Sequence, residues 1–136
     1  MVSLSKPADL PPKEAAGETI LIVEDNADVR DVTMRRLASL GYRVIDAPDG
    51  PGAVAVLREN DSIDLVFSDI VMPGGMMGYE LANWIKDNRC KTKVLLTSGY
   101  DAEITRERAS PSDLKILRKP YQIEQLARAI RSAMTA

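Results

Sequence analysis

The sequence predicts an α/β domain built on a five-stranded parallel sheet, doubly wound with helices on both faces. Five short, almost wholly apolar runs alternate strictly with segments of helical period, the order that builds such a sheet. Gly41, Gly50 and Pro73-Gly74-Gly75 punctuate the boundaries between them. The chain of 136 residues suits one domain and is long enough to bury a core.

The runs are TILIVE (19–24), RVIDA (43–47), DLVFSD (64–69), KVLLTS (93–98) and LKILRK (114–119). Their nearly continuous apolar character predicts strands buried on both faces. Between them, 27–40 places Val29, Val32, Leu37 and Leu40 on roughly one helical face, with Gly41 as the stop. Segment 50–60 carries Ala53, Val54 and Leu57, and segment 78–89 carries Leu81, Ala82 and Ile85. Trp84 falls off the stripe of that last helix and is expected to be partly exposed. Segment 101–110 is the weakest helix, anchored by Ile104 alone, and is expected to be mobile. The cleanest is 122–134, where Ile123, Leu126, Ala127 and Ile130 follow the i, i+3, i+4, i+7 pattern. Residues 1–17, with Pro7, Pro11 and Pro12, read as a flexible tail or linker, leaving 18–136 as the domain.

Composition narrows the chemistry. There is no histidine, which excludes Ser-His-Asp and Cys-His catalysis and His-bearing zinc sites. Cys90 is the only cysteine, so no intrachain disulfide or CxxC site can form. With 18 Lys and Arg against 20 Asp and Glu, the formal charge is −2, and no basic stripe suggests nucleic acid as a partner. The longest apolar runs are far short of a membrane span and no signal peptide is evident, so a soluble, cytoplasmic protein without membrane contact is expected.

Ligands of open parallel sheets bind beyond the carboxyl ends of the strands. Those ends here read Glu24-Asp25, Asp69, Thr97-Ser98 and Lys119. Taken singly, each has an ordinary explanation as a solvated turn, a strand-end cap or a surface lysine. Taken together at the ends of four strands, they describe three carboxylates beside a hydroxyl and an amine. Three close carboxylates need a counter-charge, and hard oxygen ligands suit Mg²⁺. A cation, a lysine and a hydroxyl make a receptor for a phosphoryl group, and a carboxylate can itself accept it as an aspartyl phosphate.

The blocks ILIVEDN, LVFSDIVMPGGMMGYELA, VLLTSGY and LRKPY resemble the signature of a response-regulator receiver domain of two-component signalling, over about residues 18–134. The resemblance implies a flavodoxin-like fold with strand order 2-1-3-4-5. It makes Asp69 the phosphoacceptor, with Thr97 the switch hydroxyl and Lys119 the amine on the phosphoryl group. Mg²⁺ would be held by Glu24, Asp25, Asp69 and the backbone carbonyl of Val71. The bond between Lys119 and Pro120 would be cis. The implied partner is a histidine kinase or a histidine phosphotransfer domain, and phosphorylation would reshape the face of the fourth helix (101–110) and fifth strand. The domain is then a signalling phosphoacceptor rather than an enzyme, a monomer or weak dimer.

Three departures matter. The aromatic that relatives often carry three residues before the lysine is Ile116 here, leaving Tyr100 as either its substitute or a loop-edge surface residue. The loop from Asp69 to Gly78 is one residue longer than usual, which resembles receivers attached to hybrid sensor histidine kinases. Val71 and Gly99 offer no hydrogen bond to a water beside the phosphoryl group, so no accelerated dephosphorylation is expected. The competing readings are a stand-alone response regulator, an Asp-nucleophile phosphatase of the haloacid dehalogenase type, and a receiver that binds partners without being phosphorylated. The phosphatase needs a second Asp where Val71 stands.

Overall fold

A computed structural model of the chain describes residues 17–72, 75–99 and 114–135. In chain order they form β1 (Thr19–Val23), α1 (Ala27–Ser39), β2 (Arg43–Ala47), α2 (Gly50–Glu59), β3 (Leu65–Asp69), α3 (Gly78–Asn88), β4 (Lys93–Ser98), β5 (Lys115–Arg118) and α4 (Ile123–Thr135). The five strands make one parallel sheet in the order β2-β1-β3-β4-β5. Residues 1–16 of the expected tail, Pro73 and Gly74, Tyr100 and segment 101–110 lie outside the described residues.

The expected burial on both faces holds for the middle of the sheet and fails at its edges. Every residue of β1 and β3 is buried, whereas β2 and β5 bury little because a neighbouring strand covers each on one side only. Side chains alternate across the sheet. Ile20, Ile22, Leu65 and Phe67 pack with Leu37, Leu126, Ala127 and Ile130 on one side. Leu21, Val23 and Val66 pack with Ala53, Leu57, Leu81 and Ile85 on the other. Trp84 is half-buried against this second layer, with the Arg58 guanidinium 5.9 Å from its ring centre.

α1 starts at Asn26, whose side chain accepts from the Val29 amide. It stops at Gly41, whose φ of 100° lets the Gly41 and Tyr42 amides reach back to the Ala38 and Leu37 carbonyls. Its inner face differs from the expected one. Leu37 is fully buried and Leu40 nearly so, but Val29 is 40% exposed and Val32 45%, and Thr33 takes the inward position. Thr33 can be buried because its hydroxyl donates to the Val29 carbonyl at 2.9 Å, satisfying its polar group within the helix.

Candidate functional site

β1, β3 and β4 end side by side at the carboxyl edge of the sheet, and the parallel register sets Asp69 directly opposite Thr97. The Ile70 amide donates to the Thr97 carbonyl (3.0 Å) and the Lys119 amide to the Ser98 carbonyl (2.8 Å), so pairing continues just past the strands. Lys119 Nζ lies 3.0 Å from Asp69 Oδ1 and 3.9 Å from Glu24 Oε1. Its bond to Pro120 is cis, as expected. Carboxylate oxygens of Glu24, Asp25 and Asp69 all fall within 4.8 Å of one another. Glu24, Asp69 and Thr97 are buried, while Asp25 is exposed. The strand-end residues expected to converge therefore do so.

The electrostatics are unbalanced. Burial, and then the hydrogen bond with Asp69, push the Glu24 carboxyl up to about 7. Burial works against the Lys119 ammonium, but its contact with Asp69 and the attraction of both carboxylates outweigh that and raise its pKa. One amine thus stands beside three clustered carboxylates, and burial next to Asp69 disfavours ionisation of Glu24. A hard divalent cation fits this donor set. Thr97 Oγ1 is buried and has no hydrogen-bond partner among the described residues, which suits a donor awaiting an oxyanion. A groove of about 220 Å³ opens above it, lined by Asp69, Ile70, Val71, Thr97, Ser98, Gly99 and Lys119. The side chain of Val71 is 61% exposed there.

The backbone beneath Asp69 is tightly held. Ser68 Oγ donates to the Asp69 carbonyl (2.8 Å) and sits 3.6 Å from Met72 Sδ, where the buried Met72 fills space beneath the site. The Gly78 amide donates to the Ile70 carbonyl (2.7 Å), bringing the start of α3 so close that a Cβ on Gly78 would strike the Asp69 carbonyl oxygen and Ile70 Cα. Gly50 is crowded as closely, but by the Met76 side chain rather than by backbone.

Three contributors escaped the sequence analysis. Arg30 of α1 donates to the Glu24 carbonyl, a main-chain partner that no residue type in the sequence signals. Tyr121 stacks edge-on against Phe67 at 6.2 Å, and its burial raises the phenol pKa against the opposing effect of a hydrogen bond with Thr33. Beside them, Asp28, Val29, Val32, Thr33, Arg36, Lys119, Pro120 and Tyr121 line an open groove of about 480 Å³ that runs from α1 to the amine of the site. No helix among the described residues is long and apolar enough to cross a membrane.

Comparison with known proteins agrees with this arrangement. The family model described as response regulator receiver domain matches residues 20–131. The sensor kinase CckA of Brucella abortus (strain 2308) is 36% identical over 119 residues, which are 85% of this chain and 12% of that protein. The response regulator receiver protein CpdR of the same organism is 31% identical over 118 residues, 86% of this chain and 97% of that one. Among solved structures, the receiver domain from the hybrid histidine kinase CckA superposes with a TM-score of 0.71 at 33% identity, covering 85% of this chain and 98% of that one. The chain thus spans about an eighth of one curated relative and nearly all of another.

Proposed function

The chain belongs to the response regulator receiver domain family of two-component signalling, and on that premise we propose that Asp69 accepts a phosphoryl group from a phosphohistidine on a partner. The observation that carries this is the Asp69 carboxylate held 3.0 Å from Lys119 Nζ beside the unpartnered hydroxyl of Thr97. An Asp69 carboxylate oxygen attacks phosphorus in line, a P–O bond forms as the P–N bond to the donor imidazole breaks, and the imidazole leaves with the electron pair. Lys119 moves its ammonium from the carboxylate to the incoming phosphoryl oxygens, and Thr97 Oγ1 gains the acceptor it lacks. Glu24, Asp25, Asp69 and the Val71 carbonyl would hold Mg²⁺, which supplies charge neutralisation of the transferring group. The movement of Thr97 would be passed to the chain that follows it and to β5, whose Ile116 is exposed.

Since the chain has no histidine, the donor is a histidine kinase or phosphotransfer domain outside these 136 residues. The groove beside Lys119, with Val29 and Val32 exposed on its rim, is the surface that donor would cover while its imidazole reaches Asp69. The likeness to CckA supports origin as the receiver of a hybrid kinase, with residues 1–17 as the linker and 18–136 as the receiver. The match over 97% of CpdR favours a second reading, a stand-alone regulator, and the length of the natural reading frame decides between them.

Incubation with Mg²⁺ and acetyl phosphate or beryllofluoride should modify the wild type and leave Asp69→Asn unchanged, read by intact mass and spectral shifts. Modification that persists in Asp69→Asn overturns the assignment.

A further inference from the structure

Arg30 projects from the first turn of α1 toward the end of β1. Its Nη1 donates to the Glu24 carbonyl oxygen at 2.7 Å, and its Nε lies 3.1 Å from Asp46 Oδ2 at the end of β2. The Arg30 side chain is largely enclosed, at 20% exposure. The carbonyl it holds belongs to the peptide group joining Glu24 to Asp25. Rotation of that plane changes the direction of one side chain relative to the other. The same turn is pinned by the Glu24 amide on the Ala47 carbonyl (3.1 Å) and by the Asn26 amide on Glu24 Oε2 (3.1 Å). Neither of those bonds fixes the Glu24–Asp25 plane.

We propose that Arg30 is the positioning residue of the cation site: its fork locks the Glu24–Asp25 peptide so that both carboxylates face Asp69, while Asp46 keeps the guanidinium from collapsing onto those carboxylates. This rests on the reading of Glu24, Asp25 and Asp69 as the Mg²⁺ ligands. Two effects of opposite sign separate it from simple charge. A fixed positive charge near the cluster repels a cation, so deleting it should tighten Mg²⁺ binding by Coulomb's law alone. Loss of a group that orients metal ligands should instead weaken binding, by about tenfold or more. The requirement is also geometric: a lysine keeps the charge but cannot hold the Glu24 carbonyl and Asp46 at once.

The test is Mg²⁺ affinity by titration calorimetry on the full chain, without phosphoryl donor, with the Asp25 amide followed by NMR. Arg30→Met is expected to weaken Mg²⁺ binding about tenfold and shift the Asp25 amide before any metal is added, and Arg30→Lys should fail to restore either. Affinity that stays the same or tightens in Arg30→Met, or full recovery in Arg30→Lys, overturns the proposal. Thermal unfolding identifies a variant that has lost its fold, in which case the lysine variant and Asp46→Asn carry the test. Asp46→Asn should also weaken binding but add nothing to Arg30→Met, because it acts through Arg30. An additive effect removes Asp46 from the device. Equal Mg²⁺ binding by wild type and Asp69→Asn would instead overturn the metal assignment itself, leaving the two failures distinguishable.

Discussion

The two layers flanking the sheet share one construction and differ in what they expose. On the α2 and α3 side, close approaches dominate: Gly78 sits against the backbone of Asp69 and Ile70, Gly50 lies against the Met76 side chain, and the Arg89 guanidinium reaches the Leu57 carbonyl to tie α3 to α2. On the α1 and α4 side the core is as apolar, yet Val29 and Val32 turn outward beside Pro120 and Tyr121. The first layer fixes where Asp69 stands. The second leaves an apolar rim next to the same site. The proposed transfer between two proteins would need both, a rigid acceptor and a surface for the donor, and on that reading they lie on opposite sides of one sheet.

Gly78→Ala should break that division most severely. The added methyl meets backbone, which cannot swing away, so a loss of about 1–3 kcal/mol is expected in urea unfolding. Labelling should slow with acetyl phosphate and with a protein donor alike, because Asp69 itself is displaced. Val32→Glu probes the other layer. At an exposed position its effect on stability should stay within about 0.5 kcal/mol, with acetyl phosphate labelling unchanged and transfer from a phosphohistidine donor reduced. Equal loss with both donors would show that the two layers do not act separately.

A further effect is a pH dependence at the point where the layers meet. Between the ordinary 4.5 and about 7, folded Glu24 binds more protons than the unfolded chain does. Stability of the metal-free protein should therefore fall as pH rises through that window, and the fall should be absent in Glu24→Gln. Chemical denaturation of the two proteins across the window gives the comparison directly. A parallel decline in both would assign the slope to other groups.

Much of the α2 and α3 layer and of the site was legible in the sequence, and the face of α1 was not. Strand ends are easy to find because a run such as LVFSD passes abruptly from apolar to acidic, and parallel topology then gathers those ends at one edge. The face of α1 was ambiguous because Val29, Val32 and Leu37 do not share one narrow stripe. Val32 and Leu37 are five positions apart, about 140° around a helix at about 100° per residue. The choice between them depended on whether Thr33 could be buried, which its hydrogen bond to the Val29 carbonyl decides. Arg30 was hidden for a related reason. Its partner is a main-chain carbonyl, and no residue type in the sequence advertises a carbonyl.

The direct pairing of Asp69 with Thr97 has an implication for how such a chain can vary in length. Successive strand residues point to opposite faces, so one inserted residue within β3 or β4 would reverse the parity of everything beyond it and carry the hydroxyl or the carboxylate to the wrong side. The connection between Met72 and Gly78 has no such parity to keep. The bond from the Gly78 amide to the Ile70 carbonyl closes that excursion whatever its contour, and Gly75 takes a φ of 87° within it. Length changes among descendants of this domain should accumulate in such excursions and spare the strands, making the sheet a ruler and the loop a tolerance.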